Sequence, residues 1–283
     1  MSTGVPRFGA RLAEAIARHG RLCVGIDPHP HLLQAWGLND DVSGLREFGS
    51  RVLEAAMGRV GVIKPQVAFF ERRGPAGLAV LAELQQEARR EGLLVIADAK
   101  RGDIGSTMAG YADAWLAPEA ELAADALTVS PYLGFGSLRP ALEVARRHGA
   151  GLFVLALTSN PEGREVQLAR TEDGTVASRI AAQAAAENPA PQIDGALGDV
   201  GLVVGATTAG LAEEAGVDLT AGAMPLLAPG FGAQGATAED LRTGFAEAHR
   251  QVVVNSSRGI LAAGPDVAAL TAAVRRTAEE LAD

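Results

Sequence analysis

LLVIADAKRGDIGST, Leu93–Thr107, begins as an apolar run and ends in Asp98, Lys100 and Asp103. Side chains two apart on an extended strand share a face, so Asp98 and Lys100 emerge side by side. Asp103 follows where Gly102 and Gly105 bracket a turn into a predicted helix. Carboxylate, ammonium and carboxylate at the carboxyl end of a buried strand are costly to remove from water. The chain has 25 Lys plus Arg, yet its only lysines are Lys64 and Lys100. Arginine keeps its proton at ordinary pH, whereas lysine can be tuned to act as an acid or base. Both lysines close an apolar run, which points to chemistry rather than solubility.

Seven further apolar runs accompany this one: residues 21–27, 60–65, 126–131, 151–159, 200–207, 223–230 and 251–257. They are continuous rather than alternating, as in strands buried on both faces. Between them lie Ala-, Leu-, Glu- and Arg-rich stretches such as Pro75–Glu91, Leu138–His148, Ala177–Glu187 and Ala238–His249. Strand–helix alternation of this kind, eight times in ~250 residues, predicts an α/β fold with a parallel sheet closed into a (βα)8 TIM barrel. An amphipathic N-terminal helix over about 6–19 precedes a barrel over about 21–282. No linker or composition shift divides the chain, so residues 1–283 read as one domain.

Composition narrows the function. Of the 283 residues, 48% are hydrophobic and 21% charged, and the net charge of −9 argues against a nucleic-acid surface. Cys23 is the sole cysteine; it reads as a small buried hydrophobe and fits a reducing compartment. The N-terminus lacks a secretory apolar core, and no run approaches the ~18–20 apolar residues of a membrane span. A soluble cytoplasmic protein with no membrane or nucleic-acid partner is expected.

In a parallel barrel the carboxyl ends of the strands converge on one mouth. Strand one delivers Asp27, strand two Lys64 and strand three Asp98 and Lys100, with Asp103 close behind. The charges alternate, which keeps the lysines protonated despite burial. A rigidly held Lys100 could donate a proton to a carbanion, and a carboxylate beside the reacting carbon would repel a substrate carboxylate. The plain alternative is an ion-pair network that braces the barrel. APGFGAQG (Ala228–Gly235) and NSSRGI (Asn255–Ile260) follow strands seven and eight, where barrels often bind phosphate. There Gln234 offers an amide and Arg258 a fixed cation; tight turns that need glycine are the alternative.

Other features carry less. Asn160–Asp173 is a charged, flexible excursion on the catalytic face, either a lid or a mobile surface loop. Asn188–Asp199, at the opposite end, reads as a surface insertion. His29 and His31, near Asp27 and Asp40, suggest a metal site that no cysteine or second histidine cluster completes. His19, His148 and His249 fall near helix ends, and Trp36, Trp115 and Tyr132 read as packing residues. Neither dinucleotide nor P-loop fingerprint is present.

Together these residues resemble the orotidine 5′-phosphate decarboxylases, specifically the longer bacterial (type 2) branch marked by DAKRGDIGST. The resemblance runs from about Leu22 to Leu261. It implies decarboxylation of orotidine 5′-phosphate to uridine 5′-phosphate, the last step of de novo pyrimidine synthesis, with no metal or organic cofactor. Asp27 would contact the ribose, Lys64 the ribose hydroxyls and the charged network. Asp98 would face the leaving CO₂, and Lys100 would protonate C6. Ser159 would contact the pyrimidine, Pro229 line the base site, and Gln234 and Arg258 grip the phosphate. The family completes its site across a homodimer, so Asp103, Ile104 and Thr107 would reach into the partner's site. The resemblance does not place the lid contacts to phosphate residue by residue.

Three rivals are distinct. Mg²⁺-dependent sugar-phosphate relatives, the 3-keto-gulonate-phosphate decarboxylases and hexulose-phosphate synthases, share the D-x-K-x-x-D pattern. A Schiff-base aldolase would need a neutral lysine, which flanking carboxylates oppose. A phosphate-ligand-binding barrel would bind nucleotide without turnover.

Overall fold

The computed structural model describes residues 6–188, 195–232 and 235–282. Each apolar run becomes a strand: β1 Leu22–Ile26, β2 Val62–Pro65, β3 Leu94–Arg101 and β4 Ala126–Val129 form the first half. β5 Gly151–Leu157, β6 Val200–Val204, β7 Leu226–Pro229 and β8 Val252–Ser256 form the second. Neighbours in sequence pair in parallel around the ring, and β8 returns to β1 in the register Leu22↔Val254, which closes the expected (βα)8 barrel.

Alternation along each strand divides the core in two. Cys23, Val62, Ile96, Ala126, Phe153, Val203, Leu227 and Val253 fill the lumen. Their neighbours Val24, Ile63, Val95, Leu127, Val154, Leu202, Leu226 and Val254 pack outward under the helices. Two residues farther along the inward columns stand Lys64 after Val62, Asp98 after Ile96, Thr128 after Ala126 and Asn255 after Val253. The lumen therefore turns from apolar to polar toward the carboxyl ends, and the functional side chains rest on a packed floor.

The N-terminal helix, Phe8–His19, seals the other end. Phe8 is fully buried and meets Phe153 edge-on, with ring centroids 5.9 Å apart. Gly151 permits this approach, because a Cβ there would lie 2.2 Å from the Phe8 ring. Asp199 accepts from Gly9 N at 2.9 Å and Arg7 Nε at 2.6 Å. Asp125 accepts from Val95 N at 2.9 Å and Arg11 Nη1 at 2.5 Å, tying the same helix to β3.

Several expectations need correction. Asn160–Asp173, expected as a charged, flexible excursion, carries local structure: Gly163–Gln167 is helical, and Arg170–Thr171 pairs with Gly174–Thr175 as a hairpin. Gln167 holds this loop closed, accepting from Thr158 N at 3.0 Å and donating to Thr158 Oγ1 at 2.7 Å. Asn188–Asp199 is more than a surface insertion at its ends. Asn188 exchanges two hydrogen bonds with the Val200 backbone, at 2.8 and 3.0 Å, and Leu197 packs against the barrel floor; residues 189–194 lie outside the described ones. The helix expected over Ala238–His249 stops at Phe245 and continues as a 3-10 turn, with Ala246 at φ 43°. Trp36 and Trp115 are buried as expected, but Tyr132 is 77% exposed. Among the described residues no helix is long and apolar enough to cross a membrane.

Candidate active site

A cavity of about 1110 Å³ opens at the carboxyl ends, and Asp27, Lys64, Asp98, Lys100, Ser159, Pro229 and Arg258 all line it. Its centre is an irregularity in β3. Ala97 pairs with Leu127 and Arg101 with Val129, so Asp98, Ala99 and Lys100 together face Thr128 alone. Lys100 has φ 49°, a left-handed conformation that a non-glycine residue holds only when its surroundings impose it. Its N–H donates to Thr128 Oγ1 at 2.9 Å. This bulge keeps Asp98 and Lys100 on the lumen side, with Lys100 Nζ 2.5 Å from Asp98 Oδ1. Arg101 leaves the lumen, pairs with Glu71 and lies within 5.6 Å of the ring centroids of Tyr111 and Trp115.

Asp98 is saturated with donors. Lys64 Nζ reaches Oδ2 at 2.7 Å, and Thr128 Oγ1 donates to Oδ1 at 3.0 Å. Turning the Gln66 amide so that its nitrogen faces Asp98 lets it donate to Oδ2 at 2.6 Å and to the Asp98 carbonyl at 3.1 Å. Burial alone would push the carboxyl pKa up, but the two lysines outweigh it and hold Asp98 well below the usual carboxylate range. Lys64, only 4% exposed, shows the mirror image. Burial alone would lower it, yet the Asp98 and Asp27 carboxylates carry it above the ordinary lysine range. Both groups stay ionised at neutral pH. Beneath them Cys23 is an inert floor residue, its thiol pushed up to about 12 by burial.

Asp27 Oδ1 is buried with no hydrogen-bond partner among the described residues. A ligand hydroxyl could satisfy such an acceptor on the wall of an open cavity. On the far side, Gly230, Gly232 and Gly235 adopt φ of 104°, 70° and 89°, so the turn after β7 does require glycine. Arg258 opens the short helix Arg258–Leu261 and forms no ion pair among the described residues. Gln234 lies outside the described residues. His29 packs against Phe69 at 4.2 Å between centroids, and burial lowers its pKa. Among the described residues no group of three or more His, Cys, Asp or Glu could hold a metal ion.

Asp103, Ile104 and Thr107 do not line the cavity of their own chain. The Asp103 carboxylate accepts from Ile104 N at 2.8 Å, and Ile104 is 62% exposed. Ser130 N donates to Arg101 O at 2.8 Å and draws the next loop alongside. Tyr132, on the loop after β4, lines the mouth, and it is exposed, as are Leu133 beside it in sequence and Ile104 after β3.

Residues 20–273 match the model of the orotidine 5′-phosphate decarboxylase / HUMPS family. The chain belongs to this family. An orotidine 5′-phosphate decarboxylase of Streptomyces coelicolor is 58% identical over 279 residues, 97% of this chain and 96% of that protein. One from Corynebacterium glutamicum is 50% identical over 274 residues, 96% of this chain and 97% of that protein. A Streptomyces avermitilis crystal structure, 57% identical, superposes with a TM-score of 0.93 over 99% of this chain and 96% of that one. Leishmania donovani OMP decarboxylase, 31% identical, gives 0.75 over 97% of both chains.

The sequence reading of this decarboxylase-family site missed Gln66, Thr128 and Gln167. Thr128 and Gln66 were accessible through the two-residue period, since each stands two places beyond an inward-facing residue, Ala126 and Lys64. Gln167 had no such signal, because its partner Thr158 is nine residues away across a loop.

Proposed function

We propose that this chain decarboxylates orotidine 5′-phosphate to uridine 5′-phosphate and CO₂, the last step of UMP biosynthesis. The observation that carries the reading is Asp98, an ionised carboxylate fixed between two lysines on the wall of a large cavity. Near full-length identity to proteins named for this activity supports it, and favours it over the sugar-phosphate branch of the same family. The C6–carboxylate bond breaks and its electron pair stays on C6. Lys100 Nζ stabilises the charge and then gives C6 a proton, and the resulting amine regains one from solvent. Asp98 disfavours the substrate carboxylate and has no need to move, since its donors are already in place. Lys64 and Asp27 take the ribose hydroxyls, Ser159 and Pro229 the pyrimidine, and Gln234 and Arg258 the phosphate. Phosphate binding, remote from the bond that breaks, supplies energy for orientation at the reacting carbon.

The same reading makes the working unit a homodimer in the cytoplasm. Asp103, Ile104 and Thr107 of one protomer complete the site of the other, and the exposed Ile104, Tyr132 and Leu133 form the apolar rim between them. The test is orotidine 5′-phosphate turnover, followed by ultraviolet absorbance with chelator present. Chelator-resistant turnover is expected. Turnover of a sugar phosphate that needs Mg²⁺ would move the chain to the other branch.

A further inference from the structure

We propose that Thr128 is a positioning residue of the catalytic network, coupling the backbone of Lys100 to the carboxylate of Asp98 through one hydroxyl. The inference rests on the decarboxylase reading and adds to it a residue that itself contacts no reacting atom. A threonine hydroxyl has one proton to give and lone pairs to receive. Here the proton goes to Asp98 Oδ1 at 3.0 Å, and a lone pair receives the Lys100 N–H at 2.9 Å. Thr128 is 1% exposed and stands on the cavity wall between the two groups that it joins.

Its place in the register explains why a side chain has this task. The bulge sets three residues of β3 against Thr128 alone. Regular ladder bonding is broken there, and the Lys100 N–H would otherwise lack a ladder acceptor. The hydroxyl takes the place of the missing ladder acceptor and holds Lys100 at its positive φ. That conformation sets the direction in which a long, flexible side chain leaves the strand. Lys100 Nζ also bonds the same oxygen, Asp98 Oδ1, that Thr128 supports. Backbone, ammonium and carboxylate thus form a closed loop with Thr128 at its base. The cavity contacts assigned to ribose and phosphate lie on other strands, so loss of the hydroxyl reaches the chemical step and spares binding.

The test uses Thr128→Val, which keeps shape and branching and removes only the hydroxyl, beside Thr128→Ser, which restores it. In Thr128→Val, kcat is expected to fall roughly 5- to 150-fold, the range for leaving one hydrogen-bonding group without its partner. KM and uridine 5′-phosphate affinity should stay within about twofold, and Thr128→Ser should recover most of the loss. Amide hydrogen exchange at Lys100 gives a readout that needs no turnover: protected in wild type and Thr128→Ser, faster in Thr128→Val. Should Thr128→Val fail to fold, Thr128→Ala carries the same expectations. Unchanged kcat in the hydroxyl-free variant, a loss confined to KM, equal loss in Thr128→Ser, or unchanged Lys100 exchange would each overturn the proposal. Wild-type protein that leaves orotidine 5′-phosphate untouched would refute the decarboxylase reading, and the exchange result would then decide the Thr128 coupling by itself.

Discussion

Asp98→Asn removes one charge, keeps the shape, and leaves the buried Lys64 ammonium facing an amide. The two side chains are 5% and 11% exposed and 2.7 Å apart. At an effective dielectric of ~20, their gross attraction is about 6 kcal/mol. Asp27 and water entering the cavity return part of it, and breaking one side of such a buried pair typically costs about 3–5 kcal/mol. The Lys100 pair adds little, because that ammonium is 44% exposed and screened. Urea unfolding at neutral pH should therefore show a loss of about 3–5 kcal/mol. The pH dependence sharpens the test. Asp98 is held below its ordinary value, so its contribution is complete above about pH 4 and disappears as pH falls toward the lower folded value. Lys64 is held above its ordinary value, so its contribution is complete below about pH 10.4 and is lost as pH rises through the folded value. In the variant the acid-side step should vanish and the alkaline step shrink. A loss under ~1 kcal/mol with an unchanged acid limb would refute mutual stabilisation within this network.

Two further outcomes follow from the geometry. Co-expressing Lys100→Ala with Asp103→Ala chains should regenerate activity, because each mixed dimer then holds one site with both residues intact. Random pairing restores roughly a quarter of the sites; no recovery would mean that Asp103 serves its own chain. Arg258→Ala should lower kcat/KM by roughly 10- to 150-fold, as for a charge-assisted hydrogen bond, and orotidine without phosphate should be indifferent to the change.

Much of this architecture is legible in residue order. Continuous Val- and Leu-rich runs mark strands buried on both faces, and their spacing leaves little alternative to a closed barrel. The inward period of two places Lys64 and Asp98 above Val62 and Ile96 without any structure in hand. The bulge is another matter. No glycine marks it, since Lys100 itself takes the positive φ, and the hydroxyl that sustains it comes from the next strand. Tyr132 shows a different limit: composition ranks it as a packing residue, but its place on the rim leaves no surface of its own chain to cover it. The loop after β5 looked irregular because its order comes from Gln167 closing on Thr158, a contact with no periodic signature.

Delivery of the proton to C6 by Lys100 is tested most directly by Lys100→Ala, assayed with chelator present. Turnover of orotidine 5′-phosphate should fall by at least ~10²- to 10⁴-fold, the usual share of a positioned acid, while uridine 5′-phosphate still binds. A variant that turns over at the wild-type rate would contradict it.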